Sequence, residues 1–434
     1  MATLNKARRG TGPRTHEGGV AVPSTAEQEL RRAVMACLLW EDTFYESGVD
    51  IAKRIGDLVR KVPLDVSAKI ADDARNRMYI RHASLLVARE MAREGGLSVI
   101  GDTIDNVVQR ADELAEFLAI YWKDGKKTPL SAQVKKGLAK AFTKFDAYQL
   151  AKYDRAKSVR LRDVLFLVHP KPKDEEQQAL WNALAEGKLT PPDTWEVGLS
   201  SGEDKKEVFS RLIEEGKLGG LALLRNLRNM EQAGVDRKLI KFAIEENSFK
   251  RVLPFRFISA AEHAPDMEPE LERAMFRACE SLPKLGGKTA LVIDTSGSMG
   301  AALSQRSTMS RKMAAAALGM LVRELCDDID VISFGTYAEL LPPRRGFALG
   351  DVVRRSDVGY GTMVSEGMKI ADKRGYDRAI VVTDMQVHDG LHAPKGKGYI
   401  INTAPYRNAI GYGAWTIIDG WSENVVRYIS EKEG

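Results

Sequence analysis

Cysteine is scarce in this sequence. Only Cys37, Cys279 and Cys326 occur among 434 residues, each stands among apolar neighbours, and no Cys-x-x-Cys pair exists. Isolated thiols of this kind are typical of small buried side chains in a reducing compartment, and they argue against a disulfide framework or a cysteine-based zinc site. We therefore expect a cytoplasmic protein.

Long hydrophobic runs are also missing. No stretch of 18 apolar residues is free of charge, and the basic N-terminus, MATLNKARRGTGPRTHEGG, has no apolar core. A membrane span needs the first and a secretory signal peptide needs the second. We expect neither, and no membrane partner.

Familiar catalytic motifs are absent as well. The sequence has no Walker loop and no zinc-protease helix. His388 and His392 are four residues apart, but Gly390 and Pro394 disfavour a helix there, so we predict a loop and no histidine metal pair. These absences favour a protein that is not an enzyme.

What is present is the composition of an ordinary folded protein. The apolar fraction is 44%, the charged fraction is 29%, and the net charge of +5 is small for 434 residues. The chain is longer than one hydrophobic core usually organises, so we expect two or three domains. Any polyanion-binding function must be read from where the positive charge gathers.

The first half of the chain has helical periodicity. After a basic N-terminal tail at 1–23, which we expect to be flexible, residues 24–285 show apolar side chains at helical spacing and no convincing strand. The short helices need neighbours to cover their apolar faces, which favours a solenoid of stacked repeats; an irregular helical bundle is the alternative. Predicted helices include 27–40, 51–62, 66–94, 104–123, 131–141, 148–153, 160–167 and 205–215.

The second half has a different rhythm. From residue 286 to 434, short apolar runs alternate with helical segments, which is typical of a doubly wound α/β domain with buried parallel strands. The predicted strands are 289–293, 330–334, 378–384, 397–403 and 414–418, and the predicted helices include 306–325 and 364–375.

Hydroxyl and carboxylate side chains follow these strands. Asp294, Ser296 and Ser298 come directly after the first strand, Thr362 lies in a loop before a helix, and Asp384 ends the strand 378–384. Ligands gather where loops leave the carboxyl ends of strands, and hard divalent cations prefer oxygen donors. Helix capping would explain one such residue but not five. We predict a divalent-metal site.

The order Asp-x-Ser-x-Ser, then Thr, then Asp resembles the metal-ion-dependent adhesion site of von Willebrand factor A domains, and all five positions match. The resemblance implies Mg²⁺, or another divalent cation such as Mn²⁺, at these residues. It also implies that a water molecule or a carboxylate from an acidic protein ligand completes the coordination.

Positive charge gathers in residues 152–173, which alone carry a net charge of +5. Lysine and arginine neutralise phosphates, and histidine or tyrosine can stack on unpaired bases. Composition alone leaves RNA binding and a solvated helix face equally open. The candidate RNA-binding residues here are Lys152, Tyr153, Arg155, Lys157, Arg160, Arg162, His169 and Lys171.

Three segments resemble the Ro autoantigen family, whose helical part is the TROVE domain. The resemblance rests on the residues Lys152-Tyr153, Arg162-Asp163-Val164-Leu165 and His169-Pro170-Lys171-Pro172, on LALLRNLRNM at 221–230, and on Arg251-Val-Leu-Pro254-Phe255. Ala156 and Leu161 depart from the family pattern, so base-specific contacts are expected to differ more than phosphate contacts.

The resemblance implies a HEAT-like helical-repeat ring followed by the von Willebrand factor A-like domain. It implies small non-coding Y-like RNA on the outer surface, single-stranded ends of misfolded RNA in the hole, an exoribonuclease partner, and a role in RNA quality control or processing. A ring closed within one chain needs no second copy, so we expect a monomer. A second basic helix face, Arg75, Arg77, Arg81 and His82, is a candidate lining of the hole.

Two other functional classes stay open. An RNA-processing enzyme would use the A-domain metal, although no general base is identifiable near it and two-metal nuclease sites are carboxylate-rich. A protein-adhesion module would capture an acidic ligand through the same metal and is compatible with RNA binding.

Overall fold

The structure is a computed structural model, and it divides into two compact units. It describes residues 14–15, 17–21, 23–35, 47–95, 98–122, 128–154, 158–249, 252, 254–280, 282–302, 309–404, 410, 413–420 and 424–433. The α/β unit comprises residues 1–32, 43–46 and 285–421, and the helical unit comprises residues 33–42, 47–284 and 422–434.

The helical unit contains only helices and connecting loops among its described residues. α1 (Ala26–Met35) begins in the α/β unit and ends in the helical unit. The helices that follow are α2 (Gly48–Val59), α3 (Leu64–Asp72), α4 (His82–Glu94), α5 (Ser98–Val107), α6 (Ala111–Tyr121), α7 (Ala132–Phe142), α8 (Ala147–Tyr153), α9 (Leu161–Val168), α10 (Glu175–Glu186), α11 (Trp195–Ser200), α12 (Lys205–Glu214), α13 (Gly220–Gln232), α14 (Arg237–Glu246), α15 (Pro254–His263) and α16 (Glu268–Glu280), with α20 (Asn424–Glu433) at the C-terminal end.

The helices of this unit pack as stacked pairs. Helices two apart in sequence contact each other, as α2 does with α4, α5 with α7, α7 with α9, α12 with α14 and α13 with α15. Neighbours such as α3 and α4 also pack together. Each apolar face is thus covered by the next pair, which agrees with the predicted solenoid-like repeats and not with an irregular bundle.

Side-chain caps set many helix starts. Ser131, Asp146, Asp174 and Asp204 each accept a hydrogen bond from a backbone N–H in the first turn of the helix that follows. These residue types satisfy N–H groups that have no partner inside the helix. The sequence signal for these starts is therefore local.

Two predicted long helices are each broken. The predicted helix 66–94 is interrupted after α3 by a π-helical turn at 73–77 and by Tyr79, whose φ is 55°. The predicted helix 104–123 is interrupted between α5 and α6, where Glu113 accepts hydrogen bonds from the N–H groups of Gln109 and Arg110. The apolar periodicity predicts one continuous helix here, but the hydrogen bonds to buried Glu113 end one helix and begin the next.

The α/β unit contains a six-stranded sheet. The strands are β1 (Leu285–Asp294), β2 (Cys326–Phe334), β3 (Ala338–Leu340), β4 (Arg378–Thr383), β5 (Lys397–Asn402) and β6 (Thr416–Asp419), in the order β3-β2-β1-β4-β5-β6. All pairs are parallel except β2 with the edge strand β3, which was not predicted. The helices are α17 (Arg311–Leu325), α18 (Gly346–Arg355) and α19 (Val364–Arg374).

Helices cover both faces of this sheet. A Cβ on Gly319 of α17 would lie 2.8 Å from Ile293, and one on Gly367 of α19 would lie 2.7 Å from Val292. Successive residues of a strand point to opposite faces, so α17 and α19 cover opposite sides of β1. The sheet is doubly wound, as the alternation of strands and helices predicts.

Some residues of the expected flexible N-terminal tail contact the loop after β4. The hydroxyl of Thr15 donates to the carbonyl oxygen of Val387 at 2.8 Å, and Glu17 lies 3.5 Å from the His388 imidazole. A Cβ on Gly19 would lie 2.2 Å from the Val387 oxygen, so the segment fits closely against the loop after β4. The sequence pattern gave no sign of this contact.

Two simpler expectations can be compared with the structure. Cys279 and Cys326 are buried thiols, as predicted, and Cys37 lies outside the described residues. None of the helices in the described part of the chain is long and apolar enough to cross a membrane.

Candidate metal centre and basic surface

The two acidic residues of the predicted metal site lie at adjacent strands. Asp294 is the last residue of β1, and Asp384 follows β4, which pairs with β1 in parallel. From β1 the chain adds β2 and β3 on one side of β1, and then crosses to add β4, β5 and β6 on the other side. The strand order therefore reverses between β1 and β4, and ligands of doubly wound folds bind at such a switch point. The fold therefore places both carboxylates at a binding edge.

Hydrogen bonds hold the first loop in shape. Asp294 Oδ1 accepts from the backbone N–H of Ser296 at 3.0 Å, and Asp294 Oδ2 accepts from the Thr383 hydroxyl at 2.6 Å. The Oγ atoms of Ser296 and Ser298 are 3.3 Å apart. The two serine hydroxyls thus lie side by side next to an oriented carboxylate.

The second loop is fastened to the first and to the loop after β4. Gly297 donates its N–H to the carbonyl oxygen of Tyr360 at 3.1 Å. Thr362 donates its N–H to Nδ1 of His388 at 3.1 Å, and His388 returns its own N–H to the Thr362 oxygen at 3.0 Å. The structure therefore brings all three predicted loops together, and His388 serves as a loop brace, not as half of a histidine pair.

Electrostatics at this edge favour a cation. Asp294 and Asp384 are fully buried, and desolvation together with the negative charge of Asp384 raises the pKa of Asp294 well above its ordinary range. The guanidinium of buried Arg311 lies 3.7 Å from Asp384 and supplies one positive charge. Two buried carboxylates beside one arginine leave a deficit of positive charge.

The donors fit a hard divalent cation. They are two carboxylates and three hydroxyls, the oxygen donors that Mg²⁺ and Mn²⁺ accept. Across the described ranges, no three His, Cys, Asp or Glu side chains are grouped so as to hold a metal ion. The arrangement differs from a zinc site and from a carboxylate-rich pair of metals.

A second set of predicted residues forms a basic surface, which we define as half-buried Arg160 and Arg162 with exposed His169 and Lys171. Arg160 caps the start of α9, and His169 ends the same helix with a φ of 46°. Phe166, on the last turn of α9, is 58% exposed. Lys152 and Tyr153 lie at the end of the preceding helix α8, whereas Arg155 and Lys157 lie outside the described residues.

The basic surface has little compensating negative charge. In the part of the chain that the structure describes, none of its four residues forms an ion pair with an acidic side chain. Arg160 and Arg162 act on Asp154, whose pKa is raised by desolvation despite them. The surface therefore keeps most of its positive charge.

The residues of the second predicted basic face form ion pairs within the protein. Arg75 is buried and donates to both carboxylate oxygens of Glu113, at 2.8 and 3.0 Å. Arg81 donates to Glu113 at 2.8 Å and forms ion pairs with Asp112 and Glu116. His82 lies 3.4 Å from Glu116, and exposed Arg77 lies 3.4 Å from Asp73. The acidic partners lie in α6 and in the π-helical turn, and most of them are distant in sequence from the cations. They offset much of the positive charge of this face.

Several residues near these sites were not predicted. Arg311 begins α17, Thr383 orients Asp294, and both carboxylate oxygens of Asp389 accept hydrogen bonds from N–H groups at the start of α19. The only sequence signal for Arg311 was a charge at the start of an otherwise apolar helix, MAAAALGMLV.

Comparisons with known proteins agree with this fold. Residues 176–318 match the family described as TROVE domain. Over 90 residues the chain is 33% identical to "Telomerase protein component 1" of Mus musculus and 32% identical to the same protein of Rattus norvegicus. Each aligned stretch covers 19% of this chain. The matched stretch spans only 3% of the length of those relatives.

The whole chain resembles a solved structure. The crystal structure of the Deinococcus radiodurans RO (RSR) protein matches with a TM-score of 0.63 and 19% sequence identity, covering 94% of this chain and 100% of that one. At this identity the match establishes the fold, which is a helical unit followed by a doubly wound α/β unit. Residues 176–318 are thus similar to the TROVE domain, and the chain as a whole has the fold of the RO protein.

Proposed function

We propose that this protein is an RNA-binding scaffold whose basic surface holds structured RNA. Proteins of the Ro and TROVE type bind RNA. The single observation that carries the proposal here is that half-buried Arg160 and Arg162 and exposed Lys171, together with exposed His169, form no ion pair among the described residues. Such cations neutralise phosphates and release counterions.

The neighbouring aromatic and imidazole groups suit RNA. His169 and Phe166 are exposed at the end of α9, next to the cations. Unpaired bases stack on rings of this kind, whereas a duplex presents mainly phosphates and 2′-hydroxyls. By likeness to the Ro family we extend the proposal to small non-coding Y-like RNA on this surface, and to single-stranded ends of misfolded RNA in a ring hole, during RNA quality control with an exoribonuclease partner.

The metal centre belongs to the same proposal. We infer that Asp294, Ser296, Ser298, Thr362 and Asp384 hold one Mg²⁺ ion, or Mn²⁺ in its place. The burial of Asp294 and Asp384 at adjacent strands, beside the hydroxyls of Ser296 and Ser298, supports this assignment. When bound, the ion supplies a positive charge that a water molecule or an acidic side chain can approach.

A second candidate function is capture of an acidic protein ligand at this centre. Tyr360, whose carbonyl oxygen fastens the first loop, has a side chain that is 88% exposed. An exposed tyrosine beside a metal is a suitable contact for a partner, because it offers area at low entropic cost. This function is compatible with RNA binding in the other unit.

We propose no catalytic role. Three of the five donors are hydroxyls, whereas two-metal nuclease sites are rich in carboxylates, and the charged side chain nearest to Asp384 is an arginine and not a general base. Incubation of the purified chain with labelled RNA and Mg²⁺ tests this directly. Intact RNA is the expected result, and cleavage that Asp294→Asn abolishes would make the protein an enzyme.

The surface is tested with a fluorescein-labelled RNA hairpin that has a blunt, fully paired end. Fluorescence anisotropy with the full chain gives Kd for the wild type, Arg162→Ala, His169→Ala and the control Lys206→Ala, which removes a cation exposed at the start of α12. We expect Arg162→Ala to weaken binding roughly five- to tenfold and to lower the salt slope by about 1, while the control does neither. Equal affinities in Arg162→Ala, His169→Ala and the wild type would refute the assigned surface.

A further inference from the structure

A large cavity lies within the helical unit beside the basic surface. Its volume is about 960 Å³, which is at the upper end of the range of small-molecule sites. One wall comes from the start of α6 and from α8, and the other comes from α11, α13 and the segment before α15. We call this space the aromatic cavity and define it by Tyr148, Tyr153, Trp195, Lys152, Arg225 and Gly219.

Aromatic rings and cations alternate along the first wall. The Lys152 ammonium lies 5.6 Å from the centroid of the Tyr148 ring and 6.0 Å from that of Tyr153. The Arg110 guanidinium lies 4.7 Å from the centroid of the Tyr153 ring. Tyr148 is half exposed, so part of its ring is open to a ligand. Across the cavity, Trp195 adds a third aromatic ring.

Some of the charges in the cavity are already paired. Arg110 donates two hydrogen bonds of 3.1 Å to Asp112, and Lys217 lies 2.7 Å from both Asp193 and Glu215. These pairs contribute little net charge to a ligand.

Two cations in the lining keep their charge. Lys152 of α8 and Arg225 of α13 both line the cavity, and neither has an ion-pair partner among the residues that the structure describes. Desolvation and the positive charge of Arg225 lower the pKa of Arg256. Arg256 is therefore a third cation, close to Arg225. Glu196 is the opposing carboxylate in the lining. The cavity therefore has an excess of positive charge that an anion can neutralise.

The start of α13 adds backbone donors to the same wall. Gly219 precedes the first turn and provides no side-chain cap, so the N–H groups of the first turn are not covered by a residue of their own helix. A Cβ on Gly219 would meet nothing within 4 Å, whereas one on Gly220 would lie 2.7 Å from the Phe249 ring. Space is thus left directly over the start of the helix, next to Leu221 and Ala222 in the cavity lining.

We propose that the aromatic cavity binds one unpaired nucleotide of RNA. Its base stacks against the tyrosine and tryptophan rings, and its phosphate lies between Lys152, Arg225 and the start of α13. The proposal rests on the proposed RNA-binding function and adds a defined subsite to it. A nucleotide carries its base and its phosphate on one sugar. The aromatic rings of the cavity suit the base, and the cations without ion-pair partners suit the phosphate.

Gly219→Asp provides the sharpest test. Aspartate is a better helix cap than glycine, so this variant is expected to fold with equal or higher thermal stability. It also places a carboxylate where the phosphate would lie. The matched variant Gly219→Asn caps the helix with nearly the same shape and no charge, so any difference between the two variants measures charge repulsion.

The probe is a fluorescein-labelled single-stranded octa-uridine, titrated with the full chain and followed by fluorescence anisotropy. We expect Gly219→Asp to bind at least tenfold more weakly than Gly219→Asn, and Tyr153→Ala to bind roughly five- to hundredfold more weakly than the wild type. Equal affinities of Gly219→Asp, Gly219→Asn and the wild type would overturn the proposal.

Two further arms separate related outcomes. In the first arm, unlabelled uridine monophosphate competes with the labelled oligonucleotide. If displacement needs concentrations far above the Kd of the oligonucleotide, RNA is supported as the source of the bound nucleotide. Tight binding of the free nucleotide without binding of the oligonucleotide would overturn that assignment. The blunt hairpin should bind Gly219→Asp as it binds the wild type, so failure of this subsite is distinguishable from failure of the basic surface.

Discussion

The guanidinium of Arg311 lies 3.7 Å from the carboxylate of Asp384, and both side chains are buried. This pair joins the first turn of α17 to the end of β4 at the proposed metal centre. Arg311 pairs with Asp384, while burial and the charge of Asp384 raise the pKa of Asp294, so negative charge on Asp294 is poorly stabilised. The relationship explains why a divalent cation would stabilise this edge.

Metal binding should therefore raise the stability of the chain. At a Mg²⁺ concentration about 100 times its Kd, we expect a gain of about 2.7 kcal/mol in the free energy of unfolding. Urea unfolding of the metal-free chain with and without Mg²⁺ measures this gain. The gain should vanish in Asp294→Asn and persist in Asp327→Asn, which changes an exposed acidic residue of β2. An Asp294→Asn variant that keeps the full gain would contradict the assigned ligands.

Arg75 should act on folding and not directly on RNA. It is buried against Glu113, so Arg75→Ala is expected to destabilise the chain by about 3 kcal/mol. Arg77→Ala removes an exposed arginine only two residues away and should cost less than about 0.5 kcal/mol. Urea unfolding compares the two. A lower hairpin affinity in Arg75→Ala without loss of stability would restore Arg75 as an RNA contact.

Stability in the α/β unit should fall in acid through Asp330. The hydrogen bond from Arg374, together with Lys288, holds the pKa of Asp330 below its ordinary value of 3.8. A depressed carboxyl pKa stabilises the fold above that ordinary value, and the contribution is lost as pH falls through the folded pKa. Asp330→Asn should cost about 1 kcal/mol at pH 6, since solvent screens Arg374, and little near pH 2. An equal cost at both pH values would contradict this ion-pair network.

The parallel strands and the positions of Asp294 and Asp384 at their ends could be predicted because their signals are local. Buried parallel strands have continuous apolar runs, and Asp294 and Asp384 stand where those runs end. The edge strand β3 has only three residues and pairs antiparallel with β2, so no run marks it. Short edge strands have weak sequence signals because one side has no partner strand.

Residues whose roles depend on distant partners could not be predicted. Arg75 and Arg81 look like a basic helix face in sequence, yet Glu113 lies 32 or more residues away and pairs with both. The contact of Thr15 with Val387 spans 372 residues. The aromatic cavity likewise joins Lys152 to Trp195 and Gly219, and only the packing of helices brings them together.

The central claim is that phosphates of structured RNA bind a cationic surface at Arg160, Arg162, His169 and Lys171. The most direct measurement is the Kd of the full chain for an RNA hairpin with a single-stranded end, across a series of salt concentrations. The account predicts tight binding at low salt and a log–log slope of roughly −3, because the three lysine and arginine cations of this surface each release about one counterion. No binding at low ionic strength, or an affinity indifferent to salt, would contradict it.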